Sequence, residues 1–273
     1  MSTLAERIDR WYDSIDVLGP DDREARADVE LAITQLDDGQ IRVAHLEDGR
    51  VIVHEWVRKA ILLLFRVRGL RREEVGPFEY VDKLELKHDY DRRGVRVVPG
   101  ASARRGAYLS PGVILMPSYV NIGAWVGPGT MVDTWATVGS CAQIGANVHL
   151  AGGVGIGGVL EPANAVPVVI EDDAFIGSRC MIVEGARVGR GAVVGAGTIL
   201  NPSIPVIDSQ SGEELSRGYV PDHCVAVSAS RRREYPGGEF FLPCVLVIRR
   251  LSPGERHDKV ALNAILRESG VAT

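Results

Sequence analysis

The sequence predicts a mainly β protein whose centre is a parallel β-helix, with a helical segment before it and a strand-rich segment after it. Three observations support this prediction. An aliphatic residue recurs every six positions from about residue 108 to residue 200, and small residues recur between the aliphatic ones. The composition also changes sharply near residue 97, from charge-rich and glycine-poor to rich in Gly, Val, Ile and Ala.

The six-residue repeat predicts the strands. A helix face repeats every 3.6 residues and a strand face every two, so a period of six fits short strands separated by tight corners, with each repeat forming one side of a triangular coil. The aliphatic positions, which we expect to stack inside the coil, run in two series with a gap between them: Tyr108, Ile114, Val120, Val126, Val132, Val138, Ile144 and Leu150, then Ile170, Ile176, Ile182, Val188, Val194 and Leu200.

Small residues occupy a second position of each repeat, and none of them is larger than valine. Neighbouring coils lie about 4.8 Å apart, so a large side chain at a corner would push the next coil away. Fourteen repeats predict between four and five coils, and we assign residues 98–205 to this β-helix.

Residues 1–97 are predicted to form a mostly helical domain. Apolar residues lie three and four positions apart in 4–15, 22–39 and 55–69, as in amphipathic helices, and residues 41–53 read as two short strands around a turn. Residues 206–273 are predicted to cap the β-helix. They contain strands with turns at 209–213 and 235–239 and a closing helix at 258–269.

The segment "LAGGVGIGGVLEP" at 150–162 matches the dinucleotide-binding pattern GxGxxG at Gly153, Gly155 and Gly158. That pattern requires a helix after the glycines, and Pro162 and Pro167 oppose one. Twenty positions separate Leu150 from Ile170, which is not a multiple of six. We therefore predict a loop that leaves the coil at 155–169.

Charge and composition exclude several classes of function. The net charge of −5 disfavours nucleic acid as a partner, and the longest aliphatic run, residues 60–65, is too short to cross a membrane. The four cysteines lack metal-ligand spacing and His149 is the only histidine among the repeats, so no metal site is predicted. These features favour a soluble cytoplasmic protein, and the arginines of 230–234 are expected to be solvated.

The repeats resemble those of the left-handed parallel β-helix acyltransferases, and the left hand is implied by this resemblance alone. Residues 115–162, with "MVDTWATVG" and "GGVGIGGVLEP", resemble the tetrahydrodipicolinate N-succinyltransferase family, as do "HEWVRKAILLLFR", "GVRVVPG" and "VVIEDDAFIGSRCMIVEG". The similarity covers almost the whole chain.

This resemblance implies a homotrimer that transfers succinyl from succinyl-CoA to the amine of ring-opened tetrahydrodipicolinate, an amino-dicarboxylate, with no permanently bound cofactor. It implies that Asp133 is a catalytic and substrate-binding carboxylate and that Arg96 contacts the substrate. Arginine binds carboxylates through two hydrogen bonds, which makes Arg179 a second candidate. The glycines of the 150–162 segment are candidates for the acyl-CoA contact, because glycine-rich turns expose N–H groups: Gly153, Gly155, Gly157 and Gly158.

One position departs from the family pattern. Succinyl-transferring relatives commonly carry a glutamate before "IVEG", where this chain has Met181; the related acetyltransferases carry an aliphatic residue there. Glu184 lies three residues further on and is a candidate replacement. The sequence therefore leaves open an acetyl-CoA-dependent enzyme acting on the same or a related substrate and, more remotely, a non-catalytic β-solenoid.

Overall fold

The computed structural model describes residues 2–252 and residue 267, and its N-terminal part contains three helices that pack on one another. They are α1 (Leu4–Asp13), α2 (Arg23–Asp37) and α3 (Glu55–Val67). Helix α1 begins with a capping box, in which Glu6 N–H donates to the Thr3 hydroxyl and Thr3 N–H donates to the Glu6 carboxylate. The apolar faces meet through Ile8, Ile33 and Ile61, all fully buried. The three predicted helices are present.

Two antiparallel hairpins accompany the helices. The predicted pair is β1 (Ala44–Glu47) and β2 (Arg50–Val53), and the second pair is β3 (Arg71–Val75) and β4 (Phe78–Asp82). The second hairpin was not predicted. Every residue of β3 is exposed, so its sequence lacks the alternation of apolar and polar residues that marks a half-buried strand.

Seventeen two-residue strands then follow one another. In chain order they are β5 (Arg96–Val97), β6 (Ser102–Ala103), β7 (Tyr108–Leu109), β8 (Ile114–Leu115), β9 (Tyr119–Val120), β10 (Trp125–Val126), β11 (Met131–Val132), β12 (Thr137–Val138), β13 (Gln143–Ile144), β14 (His149–Leu150), β15 (Gly155–Ile156), β16 (Val169–Ile170), β17 (Phe175–Ile176), β18 (Met181–Ile182), β19 (Arg187–Val188), β20 (Val193–Val194) and β21 (Ile199–Leu200).

These strands form three parallel sheets that the chain visits in rotation. The first sheet contains β5, β8, β11, β14, β17 and β20; the second contains β6, β9, β12, β15, β18 and β21; the third contains β7, β10, β13, β16 and β19. Each strand pairs with the strand three places along the chain, as Met131 of β11 does with His149 of β14. This arrangement is a parallel β-helix of about six coils, more than the four to five predicted, because β5 and β6 precede residue 108 and β15 lies in the gap between the two predicted series.

We name the three edges of the β-helix by the sheets they join. The first edge, from the first to the second sheet, includes residues 133–136, 151–154, 177–180 and 195–198. The second edge, from the second to the third sheet, includes 121–124, 139–142 and 183–186. The third edge, from the third sheet back to the first, includes 127–130, 145–148, 171–174 and 189–192.

The inward-facing residues form the core, as the six-residue repeat predicted from Val120 onward. The first two predicted positions are one residue out of phase. Leu109 and Leu115 face inward, whereas Tyr108 and Ile114 are only half-buried. A step of five residues from Leu115 to Val120 causes this shift, and extrapolation from the later repeats missed it.

Corners are where neighbouring coils approach most closely. A Cβ added to Gly139 would lie 2.1 Å from the backbone nitrogen of Gly158 in the next coil, and one added to Gly158 would lie 2.6 Å from the Ser140 nitrogen. Only glycine fits at such a contact. Gly157 is similarly constrained, because its Cβ would lie 2.9 Å from a side-chain carbon of Val183.

The loop that leaves the coil is shorter than predicted. Gly155–Ile156 and Val169–Ile170 are paired strands, so the loop spans residues 157–168 rather than 155–169. It packs against the helices through Leu160. The fully buried Arg58 of α3 holds the loop by donating to the carbonyls of Pro162 (3.2 Å), Ala163 (3.0 Å) and Ala165.

The C-terminal strands extend the third and first sheets. They are β22 (Pro205–Asp208), β23 (Glu214–Arg217), β24 (Tyr219–Val220), β25 (Cys224–Tyr235) and β26 (Gly238–Arg250). Strand β24 joins the third sheet, and the others lengthen the first sheet to ten strands in the order β23-β22-β26-β25-β20 and onward. Both predicted turns are present, and the helix predicted at 258–269 lies outside the described residues apart from residue 267.

Ion pairs tie the helices to the first coil. Asp37, at the end of α2, accepts hydrogen bonds from Lys87 Nζ (2.5 Å), Arg93 Nη2 (2.9 Å) and the backbone nitrogen of Gly106 (2.6 Å). The Lys87 side chain is 1% exposed. This group fixes the helical unit at the second edge, where Ile122 and Cys141 of the coil join the helix core.

The structure also shows where the cysteines lie and whether any described helix could cross a membrane. All four cysteines are free and buried. None of the helices within residues 2–252 combines the length and the apolar character that a membrane span requires.

Candidate active site

Asp133 lies on the first edge, directly after β11. The backbone nitrogen of Thr134 donates to Asp133 Oδ1 (2.6 Å), and the Thr134 hydroxyl donates to the same oxygen (3.1 Å). These two bonds fix the carboxylate. Asp133 Oδ2 lies 3.7 Å from Nε2 of His149, and the two side chains are 31% and 22% exposed. A fixed carboxylate therefore faces an imidazole at a surface that a substrate can reach.

His149 was considered from the sequence only as a metal ligand. In the structure its ring stacks on Phe175 of the next coil, with ring centroids 5.3 Å apart and planes 16° apart. The pairing register between coils could have shown from the sequence that His149 lies near Asp133. One coil here takes 18 residues, so His149 pairs with Met131 and lies diagonally across from Asp133.

Arg179 lies on the same edge as Asp133, two coils along. The backbone nitrogen of Gly153 donates to the Thr134 carbonyl (2.8 Å), and the Arg179 nitrogen donates to the Gly152 carbonyl (3.1 Å), which stacks the three corners. A Cβ on Gly153 would lie 2.7 Å from Cδ and Nε of Arg179. The Arg179 side chain therefore lies over Gly153 and extends toward the coil that contains Asp133.

The side chain of Met181 lies over Gly155 in the same way. Its sulfur would lie 2.4 Å from a Cβ on Gly155, so the thioether rests directly on the Gly155 backbone. Met181 is 43% exposed on the outer face of the second sheet. Gly153 and Gly155 thus leave room for the side chains of Arg179 and Met181 beside the first edge. Gly157 and Gly158 instead contact the neighbouring coils at the second edge.

The remaining predicted residues lie further from Asp133. Arg96 is exposed on the first sheet, two strands from Met131, which corresponds to about 10 Å at ordinary strand spacing. Glu184 is exposed on the second edge, at the opposite side of the second sheet. The structure brings Arg179 to the Asp133 edge and does not bring Glu184 there.

Sequence reasoning also missed Trp135. Its side chain is 72% exposed on the first edge, two residues after Asp133. The apolar residues Met181 and Ile199, the latter 55% exposed, continue from this edge across the second sheet. Exposed apolar side chains thus lie on and beside the edge that carries Asp133, and the signal for Trp135 in the sequence was a bulky aromatic residue at a corner where most residues are small.

The space above Gly153 gives a testable prediction. Gly153→Ala places a methyl group against Arg179 at a backbone φ of +70°, so we expect the guanidinium to move and the KM for the substrate whose carboxylate it binds to rise by about tenfold. Steady-state kinetics measure this. Gly197→Ala is the matched control, because Gly197 has φ +73° on the same edge with nothing within 4 Å of its Cβ. Equal kinetics for the two variants would contradict the role assigned to Arg179.

Comparison with known proteins places the chain in a family. A profile described as the tetrahydrodipicolinate N-succinyltransferase N-terminal domain matches residues 3–67, and one described as the hexapeptide repeat of succinyl-transferase matches residues 167–202. The 2,3,4,5-tetrahydropyridine-2,6-dicarboxylate N-succinyltransferase of Shewanella frigidimarina is 45% identical over 275 residues, covering 98% of this chain and 99% of the relative. The chain belongs to the tetrahydrodipicolinate N-succinyltransferase family.

A second relative agrees with this assignment, and a solved structure is more distantly similar. The enzyme of the same name from Methylococcus capsulatus is 49% identical over 251 residues, covering 90% of this chain and 91% of the relative. A solved structure of a 2,3,4,5-tetrahydropyridine-2-carboxylate N-succinyltransferase from Campylobacter jejuni is 16% identical, with a TM-score of 0.41, covering 80% of this chain and 62% of that one. This is a family of acyltransferase enzymes, so the non-catalytic solenoid is not supported, and the names of the relatives do not favour the acetyl donor.

Proposed function

We propose that the protein transfers the succinyl group of succinyl-CoA to the amine of ring-opened tetrahydrodipicolinate, in the pathway to diaminopimelate and lysine. The observation that carries the proposal is 45% identity along 98% of the chain to an enzyme with this name. The acid–base pair and the arginine on the first edge supply the groups that this reaction needs.

The reaction requires a proton acceptor. The amine nitrogen attacks the thioester carbonyl carbon and loses a proton, the tetrahedral intermediate collapses, and the CoA thiolate leaves and takes up a proton. An imidazole titrates near neutral pH, whereas a carboxyl does so two to three pH units lower. In our proposal His149 accepts the proton of the amine. Asp133, held by Thr134, orients the imidazole and stabilises its protonated form.

In this scheme two arginines bind the carboxylates of the substrates. Arg179 extends over Gly153 toward the acid–base pair and is assigned to a carboxylate of the acceptor or to the succinyl carboxylate. Arg96, on the outer face of the first sheet, is assigned to the distal carboxylate of the acceptor. Glu184 has no role in this scheme, because it lies on the second edge.

The donor is assigned to the outer face of the second sheet. Met181 and Ile199 give this face an apolar character that suits the pantetheine arm. Succinyl-CoA enters as a co-substrate and free CoA leaves as a product. We further propose that the active unit is a homotrimer of left-handed β-helices, with each site between neighbouring subunits.

The choice of donor is tested by steady-state kinetics. With tetrahydrodipicolinate present, release of the free CoA thiol is measured separately with succinyl-CoA and acetyl-CoA. We expect kcat/KM to be at least tenfold higher with succinyl-CoA, because a charge-assisted bond from an arginine to the succinyl carboxylate has no counterpart in the acetyl group. Faster turnover with acetyl-CoA would reject the succinyl donor and indicate that Met181 accompanies a changed acyl specificity.

A further inference from the structure

A cavity of about 220 Å³ lies on the outer face of the third sheet, away from the Asp133 edge. Its walls are the chain segment around β1 on one side and the third sheet with the third edge on the other. The polar side chains that line it are Arg42, His45, Gln143, Glu171, Asp172 and Arg190. The volume is below the roughly 300–1,000 Å³ typical of sites for drug-sized ligands, so it suits a small metabolite.

Arg42 is the cation that faces this cavity without a counter-ion. Its Nε donates to Gln143 Oε1 (2.6 Å), and its guanidinium lies 4.3 Å from the ring centroid of Trp125. Burial lowers the pKa of Arg42 to about 10, although the Asp172 carboxylate acts in the opposite direction. Within residues 2–252 no carboxylate lies within ion-pair distance of this guanidinium. A desolvated cation of this kind favours an anionic ligand group.

The guanidinium is held in a fixed position. Gln143 is 2% exposed, and its side-chain nitrogen donates to the carbonyl of Cys141 (2.8 Å). Trp125 is itself stacked against Tyr108, with ring centroids 4.1 Å apart. Since Nε is already used, the terminal nitrogens of Arg42 remain for a ligand carboxylate, which they can bind through two hydrogen bonds.

The acidic residues of the lining lie on the third edge. Asp172 is oriented by the backbone nitrogen of Ala146, which donates to Oδ1 (2.8 Å), and its Oδ2 lies 3.7 Å from Arg190 Nη2. Glu171 is already paired with Arg187 at 2.6 Å. Of the two acidic residues in the lining, Asp172 has the longer ion-pair contact and is the carboxylate better placed for a ligand cation.

We propose that this cavity binds a free α-amino acid, with its carboxylate on Arg42 and its ammonium group near Asp172. The carboxylate supplies the anion that Arg42 favours, the ammonium group supplies a cation for Asp172, and the small size of the ligand matches the cavity. The site is separate from the acyl-transfer site, because Asp133, His149 and Arg179 belong to the first edge or the first sheet.

Isothermal titration of the full-length protein tests the proposal. L-alanine and L-glutamine are the probes, with propionate and propylamine as ligands that carry only one of the two charges. We expect at least one amino acid to bind with a Kd of about 1 mM or lower and both single-charge compounds to bind at least tenfold more weakly. No binding of either amino acid up to about 10 mM would overturn the proposal.

Variants assign the binding to this cavity. Arg42→Gln and Asp172→Asn are each expected to weaken amino-acid binding at least tenfold, and Asp172→Asn keeps the acceptor for Ala146 and so protects the fold. Arg217→Gln, an exposed charge change away from the cavity, is the control and should bind as the parent does. Asp133→Asn should also leave binding unchanged. Binding that is lost in Asp133→Asn but kept in Asp172→Asn would place the amino acid at the acyl-transfer site and reject the separate site.

Discussion

Asp133→Asn is expected to lower kcat for succinyl transfer by about 10² to 10⁴, the range that general acid–base catalysis contributes, while the fold is retained. Asparagine keeps an oxygen that accepts from Thr134, so the corner stays intact. It removes the negative charge 3.7 Å from His149 Nε2, and with it the stabilisation of the protonated imidazole. The rate of CoA thiol release under saturating substrates measures the effect.

Two further variants make this prediction specific. His149→Gln is expected to lower kcat similarly and to remove from the pH profile of kcat the limb near neutral pH that an imidazole base produces. Asp48→Asn, a change of the same type in the exposed turn between β1 and β2, should keep kcat within about twofold of the parent, since this turn contacts Arg187 of the third sheet and not the first edge. Unimpaired turnover in Asp133→Asn would remove this residue from the mechanism.

Asp37→Asn is expected to lower the free energy of unfolding by about 3–5 kcal/mol, the cost of breaking a buried ion pair by neutralising one partner. The carboxylate accepts from Lys87, Arg93 and the Gly106 nitrogen, and the Lys87 side chain is 1% exposed. Burial lowers the pKa of Lys87, and Asp37 opposes that shift. Neutral asparagine therefore leaves a buried ammonium group without a counter-ion.

Urea unfolding at a fixed protein concentration measures this loss, because stability in an oligomer depends on concentration. Asp38→Asn is the control. Asp38 is the next residue, 43% exposed, and pairs with Arg93 at 3.3 Å, so its neutralisation should cost less than about 1 kcal/mol. Equal losses of unfolding free energy in Asp37→Asn and Asp38→Asn would show that the burial of the Asp37–Lys87 ion pair does not determine how much it contributes to stability.

The hexapeptide period predicted the coil well from Val120 onward, because inward packing allows only aliphatic residues there and coil spacing restricts the corners. It failed where local steps differ from six. The five-residue step before Val120 and the strand at Gly155–Ile156 both follow from pairing between coils, which a single period does not encode. The β3–β4 hairpin lies wholly outside the core, so burial left no pattern in its sequence.

For the candidate site, the family resemblance predicted Asp133, and guanidinium chemistry predicted Arg179. The nearness of His149 to Asp133 depends on which residues meet across coils, and that requires the register of 17 or 18 residues per turn. Gly153 and Gly155 were attributed to loop geometry and ligand contact, whereas their nearest neighbours are the side chains of Arg179 and Met181. A sequence shows that a glycine is present without showing which atom occupies the space it leaves.

The C-terminal strands have a consequence for self-association. An uncovered final coil would present unpaired backbone groups on which another molecule could stack, end to end, into a fibre. In the first sheet the outermost strand beyond that coil is instead β23, only four residues long, in which Glu214 pairs with Arg217 at 2.6 Å. A short, charged strand at this position is a poor template for polymerisation, so the first sheet of the solenoid terminates rather than recruiting a further copy.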